Sequence, residues 1–166
     1  MTTEWMIRLV QCVVLVLAQV LFLNHVHLFD MAIPLIYVYF AVSFRRGTPQ
    51  WAALLSSFFL GLVIDIFSNT PGLAAGSMTL IAFVQPYYLE LFVPRDSADN
   101  FEVSLMSLGF TKFFLFTSSL ILLYCLVFFG LESFSFFNVV SWLGHALASA
   151  LVTSLLILAI ESVRSR

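Results

Sequence analysis

Charge is scarce in this chain: 10% of its 166 residues are Asp, Glu, Lys or Arg, against about 25% in an average soluble domain. Too few charged groups are present to solvate a globular surface in water. The basic residues, Arg8, Arg45, Arg46, Arg95, Lys112, Arg164 and Arg166, never form a run, and the formal net charge is -2. That excludes a nucleic-acid partner and a polybasic lipid site. Cysteine is scarce too. Cys12 and Cys125 both lie inside apolar runs, where a thiol behaves as a small hydrophobe, so neither a disulfide nor a metal site is expected. His25 and His27 lack a third ligand nearby. No motif for nucleophilic catalysis or phosphate cradling is present, and neither an enzyme nor a cofactor is expected.

What the chain has in excess is apolar length. Hydrophobic residues make up 61%, Phe alone accounts for 19 positions, and mean hydropathy is +1.05. The apolar runs are long and continuous, which favours helices over the short alternating strands of a membrane barrel. The expected fold class is therefore an all-α membrane protein, a single six-helix transmembrane domain over residues 1–166. Breaks at charge, Pro and Gly place the spans at Trp5 to Leu23, Met31 to Phe44, Trp51 to Phe67, Leu73 to Val93, Val103 to Phe129 and Phe137 to Ile160. The first has no small-x-small cleavage pattern after it and is expected to stay as a span. The second is short, with Pro34 suited to the first turn of its helix. The fifth is long, and its start up to Lys112 is expected at the interface or strongly tilted. Six crossings put every Lys and Arg on or toward one side, so both termini are expected to be cytoplasmic.

Against this apolar background a few polar residues stand out. Asp65 is the foremost, because a carboxylate costs roughly 3 kcal/mol at the centre of an inserted helix and such residues usually face a protein interior. Ala53, Ser57, Gly61 and Asp65 recur every four residues and share one helix stripe, where small side chains admit a close neighbour. Ser141, His145, Ser149 and Thr153 form a second such stripe. The two stripes could face each other, which would bring Asp65 to His145 as a structural hydrogen bond or ion pair, with a proton relay and a partner or ligand contact as the alternatives. Gln11 and Gln19 share a face of the first span and are expected to bond a neighbouring helix or partner. Lys112 and Glu90 read as interfacial anchors and Arg8 as a topology marker.

The segment from Pro34 to Leu73 resembles the MreD family of bacterial rod shape-determining membrane proteins. The matching features are Pro34 opening a short second span, the basic turn Arg45-Arg46 followed by Pro49, then Gly61-Leu62 and Asp65, closed by Ser68, Pro71, Gly72 and Leu73. The specific part covers about forty residues, while length and the six-span layout agree over the whole chain. The resemblance implies a non-enzymatic inner-membrane subunit of the cell-elongation machinery that makes peptidoglycan. It implies MreC as partner, with RodA, its penicillin-binding transpeptidase and the MreB filament in the same assembly. In that setting Gly61 and Asp65 fix the third helix and Pro71-Gly72 shape the outer turn. The architecture is also similar to the S components of energy-coupling-factor vitamin transporters, an alternative in which Asp65, Trp142 and His145 line a solute pocket. An enzyme acting on lipids is a third reading, for which only Asp65 with His145 offers convergent groups.

Overall fold

The computed structural model describes residues 2–22, 33–94, 96–97, 101–133 and 139–164. Of these, 80% are helical and none is in a strand. The helices are α1 (Thr2–Leu21), α2 (Val38–Val42), α3 (Gln50–Ser68), α4 (Leu73–Leu89), α5 (Leu105–Leu108), α6 (Phe110–Ser133) and α7 (Val139–Arg164). Among the described residues, α3, α6 and α7 are long and apolar enough to cross a membrane. The apolar part of α1 (Trp5–Leu21) and α4 fall just short in length. His25, His27, Arg95, Arg166, Met31 and Phe137 lie outside the described residues.

Helices α3 and α4 form one tightly packed hairpin and α6 and α7 another, with α4 against α6 joining them and α1 resting on α3. At the first hairpin, Gly61 permits the approach. A Cβ added there would sit 2.5 Å from the Cα of Ala75 and 2.7 Å from the carbonyl oxygen of Ala74. The stripe Ala53, Ser57, Gly61 and Asp65 is buried throughout. Large apolar side chains point outward on the long helices, among them Leu9, Leu17, Phe59, Ile66, Leu115 and Leu151. Such faces suit lipid, where apolar exposure carries no penalty.

The second expected span is the main departure. Among its described residues only Val38–Val42 is helical, and Ile33, Pro34 and Leu35 precede it as irregular backbone. Pro34 is thus outside any helix, contrary to its expected place in a first helical turn. Residues 34–44 are nonetheless buried. Irregular backbone at membrane depth survives only where protein groups satisfy it. Here Gln19 bonds Pro34 and Ile36 while Gln11 and Arg8 bond Ser43, so the segment runs antiparallel to α1. It runs parallel to α7, meeting Ser149, Thr153 and Glu161 in order. From Ser149 to Glu161 is about 18 Å of helix at 1.5 Å per residue, and the long Tyr39 side chain makes up the reach to Glu161.

Smaller differences have local causes. The fourth expected span ends as helix at Leu89 rather than Val93, and its last residues turn. The fifth is broken at Gly109, whose φ of 79° no ordinary residue adopts cheaply. Before it, Ser104 and Ser107 form a reciprocal capping box on α5. Lys112 and Glu90 are exposed. Helix α7 continues a turn beyond Ile160 and so takes in Glu161, a residue whose burial hydropathy does not disclose.

Candidate functional site

Two polar constellations lie within the fold, one at the α3–α4 turn and one around residues 33–44. At the turn, α3 ends on Asn69, which adopts the left-handed conformation with φ 56° that Asn tolerates better than most residues. Thr70, Pro71, Gly72 and Leu73 then make a type II turn. Pro71 takes its first central position, Gly72 with φ 82° and ψ -4° the second, and the Leu73 N–H donates to the Thr70 carbonyl at 3.3 Å.

Asp65 organises this turn with both of its acceptor groups. Its Oδ1 accepts from the Thr70 hydroxyl at 2.9 Å and the Ala74 N–H at 2.8 Å, and its Oδ2 accepts from the Ala75 N–H at 2.9 Å. Its backbone carbonyl accepts from the N–H groups of Asn69 and Thr70. A carboxylate from one helix thus caps the next, satisfying N–H groups that would otherwise be orphaned in an apolar medium and lying where the α4 dipole favours negative charge. Gly61, one turn earlier on the same face, lets Ala74 and Ala75 come near enough for this.

His145 takes no part. Its Nδ1 lies 2.6 Å from the Ser141 carbonyl of its own preceding turn. The expected Asp65–His145 contact is therefore replaced by α4 amides on one side and a local bond on the other. The two stripes do not meet either: Ala53 to Asp65 packs on α4, while Ser149 and Thr153 turn to residues 33–35. Ser57 is fully buried and its hydroxyl has no hydrogen-bond partner, so it acts there as a small residue. An apolar groove of about 470 Å³ runs beside Asp65 between Phe58, Leu62 and Ile66 on α3 and Ala75 and Gly76 on α4, with Gly72 of the turn also lining it. Neither Trp142 nor His145 lines it.

The second constellation accounts for the donors of the irregular segment. The N–H of Ile33 donates to Ser149 Oγ at 3.1 Å, that of Leu35 to Thr153 Oγ1 at 3.0 Å and that of Ile36 to Gln19 Oε1 at 3.2 Å. Pro34 has no N–H to satisfy, which suits it to unwound backbone as well as to a helix start. Its carbonyl accepts from Gln19 Nε2 at 3.0 Å. Farther along, Gln85 of α4 donates to the Phe44 carbonyl at 3.0 Å, and Arg8 to the Ser43 carbonyl at 2.9 Å with its guanidinium 5.1 Å from the Phe44 ring centre. The hydroxyls of Tyr37 and Tyr124 meet at 2.5 Å in the core.

Gln19 serves both a donor and an acceptor of the same turn, so Gln19→Leu is expected to leave the Ile36 N–H and Pro34 carbonyl unpaired. Each buried orphan costs about 1–3 kcal/mol. A melting curve in detergent should show that loss, and a Gln19→Leu protein as stable as the parent would remove this account of the segment.

At one end, charged residues converge. The Tyr39 hydroxyl donates to buried Glu161 at 2.5 Å and accepts from Arg164 at 2.9 Å. Glu102 pairs with Arg45 and lies 3.9 Å from Arg164. Arg46 donates to the Ser97 carbonyl at 3.1 Å. From sequence, Arg8 reads as a topology signal and Arg45-Arg46 as a basic turn, and neither Glu102 nor Glu161 stands out. Glu161, four residues after Ile157 on a helix with a buried face at 146, 149, 150, 153 and 157, was detectable from that spacing.

Among the described residues the protein is all-helical with three apolar helices of membrane length, and Asp65, Gln19, Ser149 and Thr153 are turned on its own backbone. Comparison of the chain with protein-family models, with curated proteins and with solved structures finds no match.

Proposed function

We propose that this chain is a non-enzymatic scaffold of the bacterial inner membrane, a subunit of the cell-elongation complex that binds MreC and neighbouring membrane proteins through intramembrane helix faces. The observation that carries the scaffold reading is where the polar residues are spent. Asp65 caps α4, Gln19, Ser149 and Thr153 serve residues 33–36, and Glu161 holds Tyr39. Such groups fix a shape, and the shape offers outward apolar faces to other helices. The particular assembly comes from the resemblance over Pro34 to Leu73. It gains support from the fact that Gly61, Asp65, Pro71 and Gly72, four of its residues, act together at one hairpin. RodA, its transpeptidase and MreB follow as members of the same assembly. On this reading the chain crosses six times, with residues 33–44 as the inner part of the second crossing and both termini cytoplasmic. The convergence of Arg8, Arg45 and Arg164 at one end agrees with that orientation.

Purification through a C-terminal tag from bacterial membranes in mild detergent, followed by mass spectrometry, tests the proposal. Recovery of MreC with the elongation enzymes is the expected result. Recovery of an ATPase module or a tightly bound vitamin in their place would overturn it in favour of a transporter component.

A further inference from the structure

The two hairpins carry their own means of cohesion. In α3–α4 these are the close approach at Gly61 and the Asp65 cap. In α6–α7 the ring of Trp142 lies 3.6 Å from where a Cβ of Gly130 would stand. Residues 33–44 are different. Their backbone is irregular at the start, and what holds it is a set of side chains from other elements. Seven polar contacts hold the first half: Ile33 to Ser149, Leu35 to Thr153, Pro34 and Ile36 to Gln19, Tyr37 to Tyr124, and Tyr39 to Glu161 and Arg164. Four of the seven come from α7. In hydrocarbon an apolar side chain gains little by leaving lipid for protein, so the burial of Val38, Ala41 and Val42 contributes less than it would in water and polar satisfaction decides where the segment sits.

We propose that residues 33–44 are a releasable insert: a unit that leaves the bundle interior as one piece when its α7 contacts are withdrawn, while the two hairpins stay assembled. The charged end gives this release a handle. Glu161 is buried, whereas Arg164 and Glu102 are exposed by about half; Arg164 pairs with Glu161 and Glu102, and Glu102 also with Arg45. A group competing for Arg164 from outside withdraws one of the two polar partners of the Tyr39 hydroxyl without entering the bundle. The inference stands on the contacts of α7 and is independent of the elongation-complex reading.

The test uses the full chain in lipid nanodiscs, in a background where Cys12 and Cys125 are replaced by Ala. One reporter is Ala41→Cys, at a position with no exposure in the insert. The other is Ser57→Cys, a near-isosteric change at a buried position of the α3–α4 hairpin. Each is combined with Ser149→Ala plus Thr153→Val, or with the control Ser154→Ala, whose hydroxyl bonds only its own preceding turn at Leu151. In the double variant, labelling of Ala41→Cys by a small maleimide should accelerate about tenfold or more as the orphaned amides seek water, with Ser57→Cys unchanged and the control silent. Unchanged labelling of Ala41→Cys would overturn the proposal. Equal acceleration at both reporters would also overturn it, because the bundle would then open as a whole.

Discussion

Gly61→Leu is expected to yield little or no folded protein, whereas Val63→Leu, at a half-buried position two residues on, should melt within a few degrees of the parent. Overpacking that flexible neighbours can absorb costs about 1–3 kcal/mol. At Gly61 the neighbours are the Cα and N of Ala75 and the carbonyl of Ala74, at 2.5 to 2.7 Å from the new Cβ. None of these can rotate away. Helix α4 must move as a body, and the movement draws the Ala74 and Ala75 amides off Asp65, so packing and capping fail together. Size-exclusion profiles and thermal melts of both variants in the same detergent check this. Similar monomer yields and melting temperatures would show that the hairpin tolerates separation.

The second large effect belongs to Asp65 itself. Asp65→Asn keeps one oxygen but turns an NH₂ group toward one of the two α4 amides, so at least one N–H loses its acceptor and the charge facing the helix dipole is gone. Asp65→Leu loses all three side-chain bonds. The expected order is parent, then Asn at a loss of about 1–3 kcal/mol, then Leu at a larger loss, since hydrogen bonds to charged groups run at about 1.5–3 kcal/mol each. Asn is therefore a poorer substitute than a single hydrogen bond to His145 would have made it. Denaturation series of the two variants separate the cases: equal loss in both would assign the role to charge alone.

The helical class and membrane character were legible because hydropathy acts over twenty residues at a time and does not depend on partners. The α3 stripe was legible for a similar reason. A four-residue period of Ala53, Ser57, Gly61 and Asp65 names a buried face whatever lies opposite, and the Pro71-Gly72 pair names its turn. What lay opposite was not legible. The distance from Asp65 to the α4 amides depends on how far Gly61 lets the helices close. The alternative partner, His145, follows from two stripes of the same spacing, and spacing does not say which helix each stripe faces. The second span failed for a more general reason. Composition from Met31 to Phe44 is apolar enough for a helix, and the features that make irregular backbone affordable there are Gln19, Ser149 and Thr153, far away in the chain. Both glutamines do bond a neighbouring segment, but Gln19 meets irregular backbone at Pro34 and Ile36, and Gln11 meets the Ser43 hydroxyl at the end of α2.

Ile33 and Ser149 are 116 residues apart, and Tyr39 and Glu161 are 122 apart. At a synthesis rate of 5–20 residues per second, roughly 6 to 24 s pass between the emergence of the segment and that of its acceptors. Through that interval the nascent chain carries amides with no permanent mate, and temporary hosts such as headgroups or the insertion machinery must shelter them. The order of manufacture puts α7 after the segment it holds, so the interior can first close only once residues 149–161 have been made.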